Sequence, residues 1–306
     1  MTAIRGRTID QVATRILIDV GLILGGSFAL VALVAMVHTD GGLAYDTHAY
    51  WLAAKHILDG TTLYSPASPS ELGAFKYPPI FAQLFAPAAL APEIAVDWAW
   101  RVSTVLCLRY IMGSWRAALI ACAFVPVLIE ISLGNVTLQV TAILLFALRD
   151  RRGAYLLPII AALKFGPALL VPYLWFCQPQ TRRPLVIGTA AFGAACLISW
   201  IIAPGLWSDY IATFGWESNS VLSGGMVLSI IPSSGSLDFA LRFVIASAVA
   251  LFAARTKKAW LAYIAAALTC PIFAWGRLAP LVGLWRFRPT SVDVTPSMSA
   301  VVELPA

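Results

Sequence analysis

Charge is scarce in this chain: only 12% of its 306 residues are Asp, Glu, Lys or Arg, against roughly 25% in a soluble domain. The shortage excludes a water-soluble globule, because 60% of the residues are hydrophobic and the mean hydropathy is +0.82, more apolar surface than a soluble core absorbs. Cysteine is sparse too. Cys107, Cys122, Cys177, Cys196 and Cys270 stand apart in apolar segments without C-x-x-C spacing, so neither a disulfide framework nor a metal site is indicated. Of the 3 histidines, His48 and His56 sit about two helical turns apart, too distant for one metal without other ligands. The apolar runs also lack period-two alternation, which leaves helices as the way to satisfy the backbone in a bilayer.

What charge there is falls in short basic clusters between apolar runs: Arg5, Arg7 and Arg15; Arg149, Arg151 and Arg152; Arg182 and Arg183; Arg255, Lys257 and Lys258. A net charge of +6 distributed this way marks cytoplasmic anchors rather than a nucleic-acid surface. The first run, Ile16 to Val37, exceeds a signal-peptide core and has no A-x-A-like cleavage site, so it reads as a retained helix with a cytoplasmic N-terminus. The chain is expected to be all-α and polytopic, with about 9 to 11 membrane segments including short or broken helices. Residues 1–287 form one transmembrane unit with outer loops at 38–78 and 205–236. The Pro, Ser and Thr-rich stretch 288–306 is expected to be disordered.

Within the first outer loop, Asp46 to Leu58 has helical spacing and predicts a short interfacial helix. Pro79 to Ala91 is short for a perpendicular crossing. As a half pass it places Arg109 and Arg116 inside and Asn135 outside, as a full crossing it inverts that parity, and the charge rule favours the half pass. Ile94 to Met112, Arg116 to Leu133 and Val136 to Leu148 follow as passes. Tyr155 to Cys177 runs between two basic clusters and is broken at Lys164-Phe165-Gly166-Pro167, a hairpin with its apex at Lys164. Ala259 to Phe287, interrupted by Pro271, Gly276, Arg277 and Pro280, reads as a second one.

This topology brings Asp46, Lys76, Asn135, Lys164 and Arg277 toward one leaflet. A cation inside an apolar hairpin costs about 2.5 to 3.5 kcal/mol on insertion scales. Lys164 and Arg277 therefore call for an anionic ligand such as a lipid phosphate, or for snorkelling, or for a carboxylate from another segment. Asp46 at the start of the interfacial helix suits a general base, but from spacing alone the N-cap is the preferred reading.

The runs Asp46-Thr-His-Ala-Tyr50, Gly60-Thr-Thr-Leu-Tyr64 and Phe75-Lys-Tyr77-Pro-Pro79 resemble the first outer loop of family-87 glycosyltransferases, GT-C-type enzymes that include polyprenol-phosphate-mannose-dependent mannosyltransferases. Gly134-Asn-Val-Thr137, Ala162-Leu-Lys164-Phe-Gly-Pro167 and Cys270-Pro-Ile-Phe-Ala-Trp275-Gly-Arg277 extend the resemblance. It implies inverting transfer of a sugar, mannose above all, from a polyprenyl-phosphate donor to a lipid or glycan acceptor at the extracytoplasmic face of the cell membrane. Neither a cofactor nor a metal is implied. By the same resemblance Asp46 is the base, and Lys164 with Arg277 holds the donor phosphate. Tyr50, Tyr64, Lys76, Tyr77, Asn135 and Trp275 would contact substrate, although aromatics at this depth also form interfacial belts. The pattern differs at Arg277, where the family usually has His, at Asn135, where Gln is common, and at Thr137, where Asn is common. Arg binds phosphate but does not exchange protons at ordinary pH. A lipid or small-molecule transporter, which also uses broken helices, and an inactive membrane scaffold are the competing readings.

Overall fold

The structure, a computed structural model, describes residues 9–38, 44–64, 75–217, 235–269 and 275–287. Among the described residues there are helices and turns and no strand. In chain order the α-helices are α1 (Ile9–His38), α2 (Tyr45–Asp59), α3 (Pro79–Phe85), α4 (Glu93–Met112), α5 (Trp115–Ala121), α6 (Val125–Leu133), α7 (Thr137–Arg149), α8 (Leu157–Leu163), α9 (Val171–Cys177), α10 (Arg182–Ile202), α11 (Pro204–Glu217), α12 (Gly235–Thr256) and α13 (Ala259–Leu268). Tight 3₁₀ turns join several of them, and Trp275–Phe287 forms a final 3₁₀ segment.

Two stretches, Ala13–Met36 and Pro179–Ile202, are long and apolar enough to cross a bilayer, with hydropathies of 2.3 and 2.2. Only 6% of the first window is buried against protein, so its apolar surface has to be covered by lipid. The protein is an all-α membrane protein. Other apolar elements are bent or short. Pro79–Leu90 meets α4 at 119°, and Tyr77 and Glu93, which flank it, both contact α2. The segment thus begins and ends beside α2.

Arg116 to Leu133, expected as one pass, is instead two short helices, α5 and α6, meeting at 95°. Pro126 is the reason: it lies in the first turn of α6, where its ring is tolerated, but it denies an N–H to any helix running through from α5.

Tyr155 to Cys177 is a hairpin, α8 up and α9 back, with Lys164 in extended conformation (φ −144°, ψ 123°) at its apex. The break is buried in protein. A Cβ on Gly166 would lie 2.2 Å from Ala266 O and 2.4 Å from Thr269 O, so only glycine allows this turn to seat against the end of α13. Within Ala259 to Phe287, α13 and the final 3₁₀ segment are joined where Tyr263 Oη donates to Pro280 O at 2.5 Å. Residues 270–274, with Pro271 and the expected hairpin apex, lie outside the described residues, as do 65–74, 218–234 and the tail from Arg288. The 205–236 segment, expected as an outer loop, opens as helix α11, whose Leu206 and Tyr210 pack beside Tyr64.

The C-terminal ends of α4, α7, α9 and α12 gather at one end of the body. Arg286 Nε donates to Ile111 O at 2.7 Å, Gln178 Nε2 to Leu148 O at 3.0 Å and Cys177 Sγ to Ala254 O at 3.1 Å. Arg109, Arg149, Arg151, Arg152, Arg255, Lys257 and Lys258 belong to these ends or the turns that follow them, and Arg182 opens α10 just after the turn that follows α9. Asp46, Asn135 and Lys164 lie at the opposite end.

Candidate active site

Helix α2 is laid across the end of the body and clamped there. Its first amide, Ala44 N, donates to Asp97 Oδ1 at 3.2 Å, and the other carboxylate oxygen of Asp97 accepts from Arg101 Nε at 2.8 Å. These two charged side chains are 1% and 4% exposed, so each depends on the other for charge balance. Further along, His48 Nδ1 pairs with Glu93 Oε1 at 2.5 Å and Trp51 Nε1 donates to Ala91 O at 3.2 Å. On its other side α2 rests on the corner between α6 and α7, where Thr47 Oγ1 donates to Gly134 O at 3.4 Å. Gly134 has φ +66°, and a Cβ there would sit 2.0 Å from Thr47 Oγ1, so conformation and space both demand glycine.

This clamping rules out the N-cap reading of Asp46. The cap is Ala44, whose side chain makes no capping bond, and Asp46 lies inside the first turn. There its charge complements the helix dipole, while Oδ2 accepts from Asn135 Nδ2 at 2.6 Å. Asn135 is itself buried, 4% exposed. Its Oδ1 accepts from Thr137 N at 3.1 Å, from Thr137 Oγ1 at 2.7 Å and from Lys164 Nζ at 3.2 Å. A carboxylate and an ammonium from segments more than a hundred residues apart in sequence are thereby joined through one amide, both of them half-buried.

The floor beneath is polar as well. The Gln139 amide nitrogen donates to Asn135 O at 3.2 Å and Val136 O at 3.3 Å, and its oxygen accepts from Thr104 Oγ1 at 2.7 Å and Ser103 Oγ at 3.2 Å. The reverse orientation would set oxygen against two carbonyls.

The tyrosines of the outer loop form the wall below α2. Tyr50, one turn after Asp46, packs its ring edge-on to Trp100 at 5.3 Å and brings its hydroxyl to 3.3 Å from that of Tyr77. Tyr64 lies between Phe75 and Tyr210 and donates to Tyr77 O at 2.6 Å. Burial pushes its phenol well above the ordinary value, which keeps it a donor. Tyr50 and Tyr64 are buried, Tyr77 half-buried and Lys76 exposed. The side chains of Trp275 and Arg277 lie outside the described residues. Among the described residues, no three His, Cys, Asp or Glu side chains group together as metal ligands would.

Beside the clamp, a cavity of about 540 Å³ opens between α1 and α4 to α6, lined by apolar side chains such as Met36, Trp98, Leu108 and Ile131, with Arg101 among them. Its rim residues Leu33, Val102 and Leu106 are exposed on the flank of the helical body.

Sequence reasoning did not single out Asp97, Arg101, Gln139 or Thr104. The spacing of Asp97 and Arg101, four apart in an apolar run, was the available signal of a pair on one helix face.

Comparison with known proteins adds one positive result: the model of Glycosyltransferase family 87 matches residues 75–292. No curated protein and no solved structure matches. The match spans Asn135, Lys164 and Arg277. Asp46 precedes it and is tied to it by the bond from Asn135.

Proposed function

Because this chain belongs to glycosyltransferase family 87, we propose that it moves a sugar, mannose in the first instance, from a polyprenyl-phosphate donor to a lipid or glycan acceptor at the extracytoplasmic face of the cell membrane. The observation that carries this reading is the linked set Asp46, Asn135 and Lys164. Asp46 takes the proton from an acceptor hydroxyl. The acceptor oxygen then attacks the anomeric carbon on the face opposite the phosphate. The bond from that carbon to the phosphate oxygen breaks, its electron pair leaves with polyprenyl phosphate, and the configuration inverts. Lys164 offsets the negative charge that grows on the leaving oxygen, where a preorganised cation is most effective. Arg277 joins it on the phosphate, and exposed Lys76 meets the anionic headgroup.

Sidedness follows from charge. The basic residues collected at the far end anchor it in the cytoplasm, which turns the Asp46 end outward. A lipid-linked donor also fits a site set in a bilayer wall whose neighbouring cavity is apolar and open at its flank.

The test is transfer of radiolabelled mannose from polyprenyl-phosphate mannose to membrane lipid acceptors, comparing native protein with Asp46→Asn at matched expression. Transfer is expected to fall by about 10²- to 10⁴-fold in the variant. Equal transfer by both proteins sinks the assignment of the base, and absence of transfer by the native protein sinks the donor.

A further inference from the structure

We infer that Asn135 is a positioning residue: held by Thr137, its side-chain amide aims the Asp46 carboxylate and keeps the Lys164 ammonium within reach of the same point. The inference rests on the reading of Asp46 and Lys164 given above for its catalytic meaning, but the geometry stands on its own.

The direction of the amide is fixed by chemistry. Two groups that donate and never accept, the Thr137 backbone N–H and the Lys164 ammonium, both address Oδ1. The NH₂ group must therefore face outward, and it meets Asp46 Oδ2 at 2.6 Å. An amide turned the other way would bring oxygen against carboxylate and leave two donors facing NH₂. The fixed amide donates to the charged form of Asp46, a charge-assisted bond that also sets which oxygen points away toward an acceptor.

The Oδ1 atom, with room for two good bonds, receives three. The two from Thr137 come from the next turn of backbone and are local, whereas the bond from Lys164 is the longest at 3.2 Å. It is the one a stronger acceptor takes over. An anionic phosphate oxygen entering the site draws Lys164 away from Asn135, and Thr137 still holds the amide on Asp46. The base thus keeps its aim while the cation changes partner. The corner makes this possible: Asn135 is immobilised between Thr47 on Gly134 above and Gln139 on its own carbonyl below.

Glu93 with its partner His48, the Asp97 and Arg101 pair and Glu130 of α6, ionisable groups of elements packed on α2, are the same in every variant compared.

The experiment uses the full chain in liposomes and reads Asp46 without needing turnover. A hydrophobic carbodiimide labels protonated carboxyls, and peptide mapping quantifies labelling at Asp46 as pH is varied. In Asn135→Asp a second carboxylate replaces the donor, so half-maximal labelling of Asp46 is expected to move up by about one pH unit or more. Thr137→Val keeps the shape but removes one of the donors that orient the amide, and a smaller upward move is expected. Because Thr137→Val is nearly isosteric, it still reports if Asn135→Asp fails to fold. An Asp46 labelling profile unchanged in every folded variant overturns the inference. The same proteins are assayed for mannose transfer: the acid limb of kcat/KM should follow the labelling midpoint. A shifted midpoint with no transfer by the native protein sinks the proposed reaction and leaves the positioning role standing.

Discussion

The two ends of this helical body are both rich in polar contacts, and the contacts differ in kind. At the basic end, side chains bond to backbone. Arg286 satisfies the carbonyls of Tyr110 and Ile111 in the last turn of α4, and Gln178 that of Leu148 in α7. These are the orphan carbonyls every helix leaves at its C-terminus, and cations there also complement the dipole. At the site end, side chains bond to side chains across great sequence separations: Asp46 to Asn135, Asn135 to Lys164, Gln139 to Thr104. The first arrangement finishes helices and anchors a face. The second holds a carboxylate and an ammonium apart by one amide, which is an arrangement for handling protons and anions rather than for ending helices.

If that contrast is correct, removing a cation has different consequences at the two ends. The largest effect is expected for Lys164→Met, which should lower sugar transfer by about 10²- to 10³-fold, the loss typical of removing one preorganised donor from developing charge. Arg149→Gln, at the opposite end, should leave transfer within a factor of about two when assayed in the same membranes, since surface changes away from such features have small effects. Equal losses from the two variants would erase the distinction. Next comes Arg101→Met. Asp97, 1% exposed, would be left buried without the guanidinium beside it. The expected destabilisation is about 3 to 5 kcal/mol, read as a lower thermal midpoint in detergent. Since Asp97 also receives Ala44 N, the start of α2 should loosen, and transfer should fall along with stability.

How much of this was legible in the sequence follows the same division. The class came from composition, and the shortness of the Pro79 to Ala91 element from a run bounded by prolines. The apex of the first hairpin was visible because Lys164 stands next to Gly166-Pro167 between two basic clusters, a purely local pattern. The bend at Cys122 to Phe124 was missed because Pro126 sits where a helix begins as comfortably as where one is broken, and hydropathy runs across it without change. Asp46 was ambiguous for a tertiary reason. Its residue type suits an N-cap, and only the clamp from Asp97 shows that the helix starts two residues earlier. Asn135 reads in the sequence only as a substrate contact, because an isolated amide in an outer turn carries no sign of which way it faces. Thr137 and Lys164 supply that sign, and Lys164 does so only in the folded chain.

A small effect, on stability alone, is expected at Arg286, and it tests the other half of the comparison. Its guanidinium lies over the ring of Tyr110, 5.9 Å from the centroid, and donates to two carbonyls of α4, so it fastens the 3₁₀ segment Trp275–Phe287 to the helix that carries Asp97 at its far end. Replacement by Gln shortens the reach and removes the charge, which should cost about 1 to 2 kcal/mol of stability as hydrogen bonds to a charged group are lost. The distance between the ends of α4, 20 residues at about 1.5 Å each, keeps this change away from Asp46. Arg286→Gln should therefore lower the thermal midpoint by a few degrees while kcat and the donor KM stay close to native below that midpoint. A change in kcat at unchanged stability would mean that α4 transmits strain from its basic end to the clamp on α2, and the two ends would then have to be treated as one device.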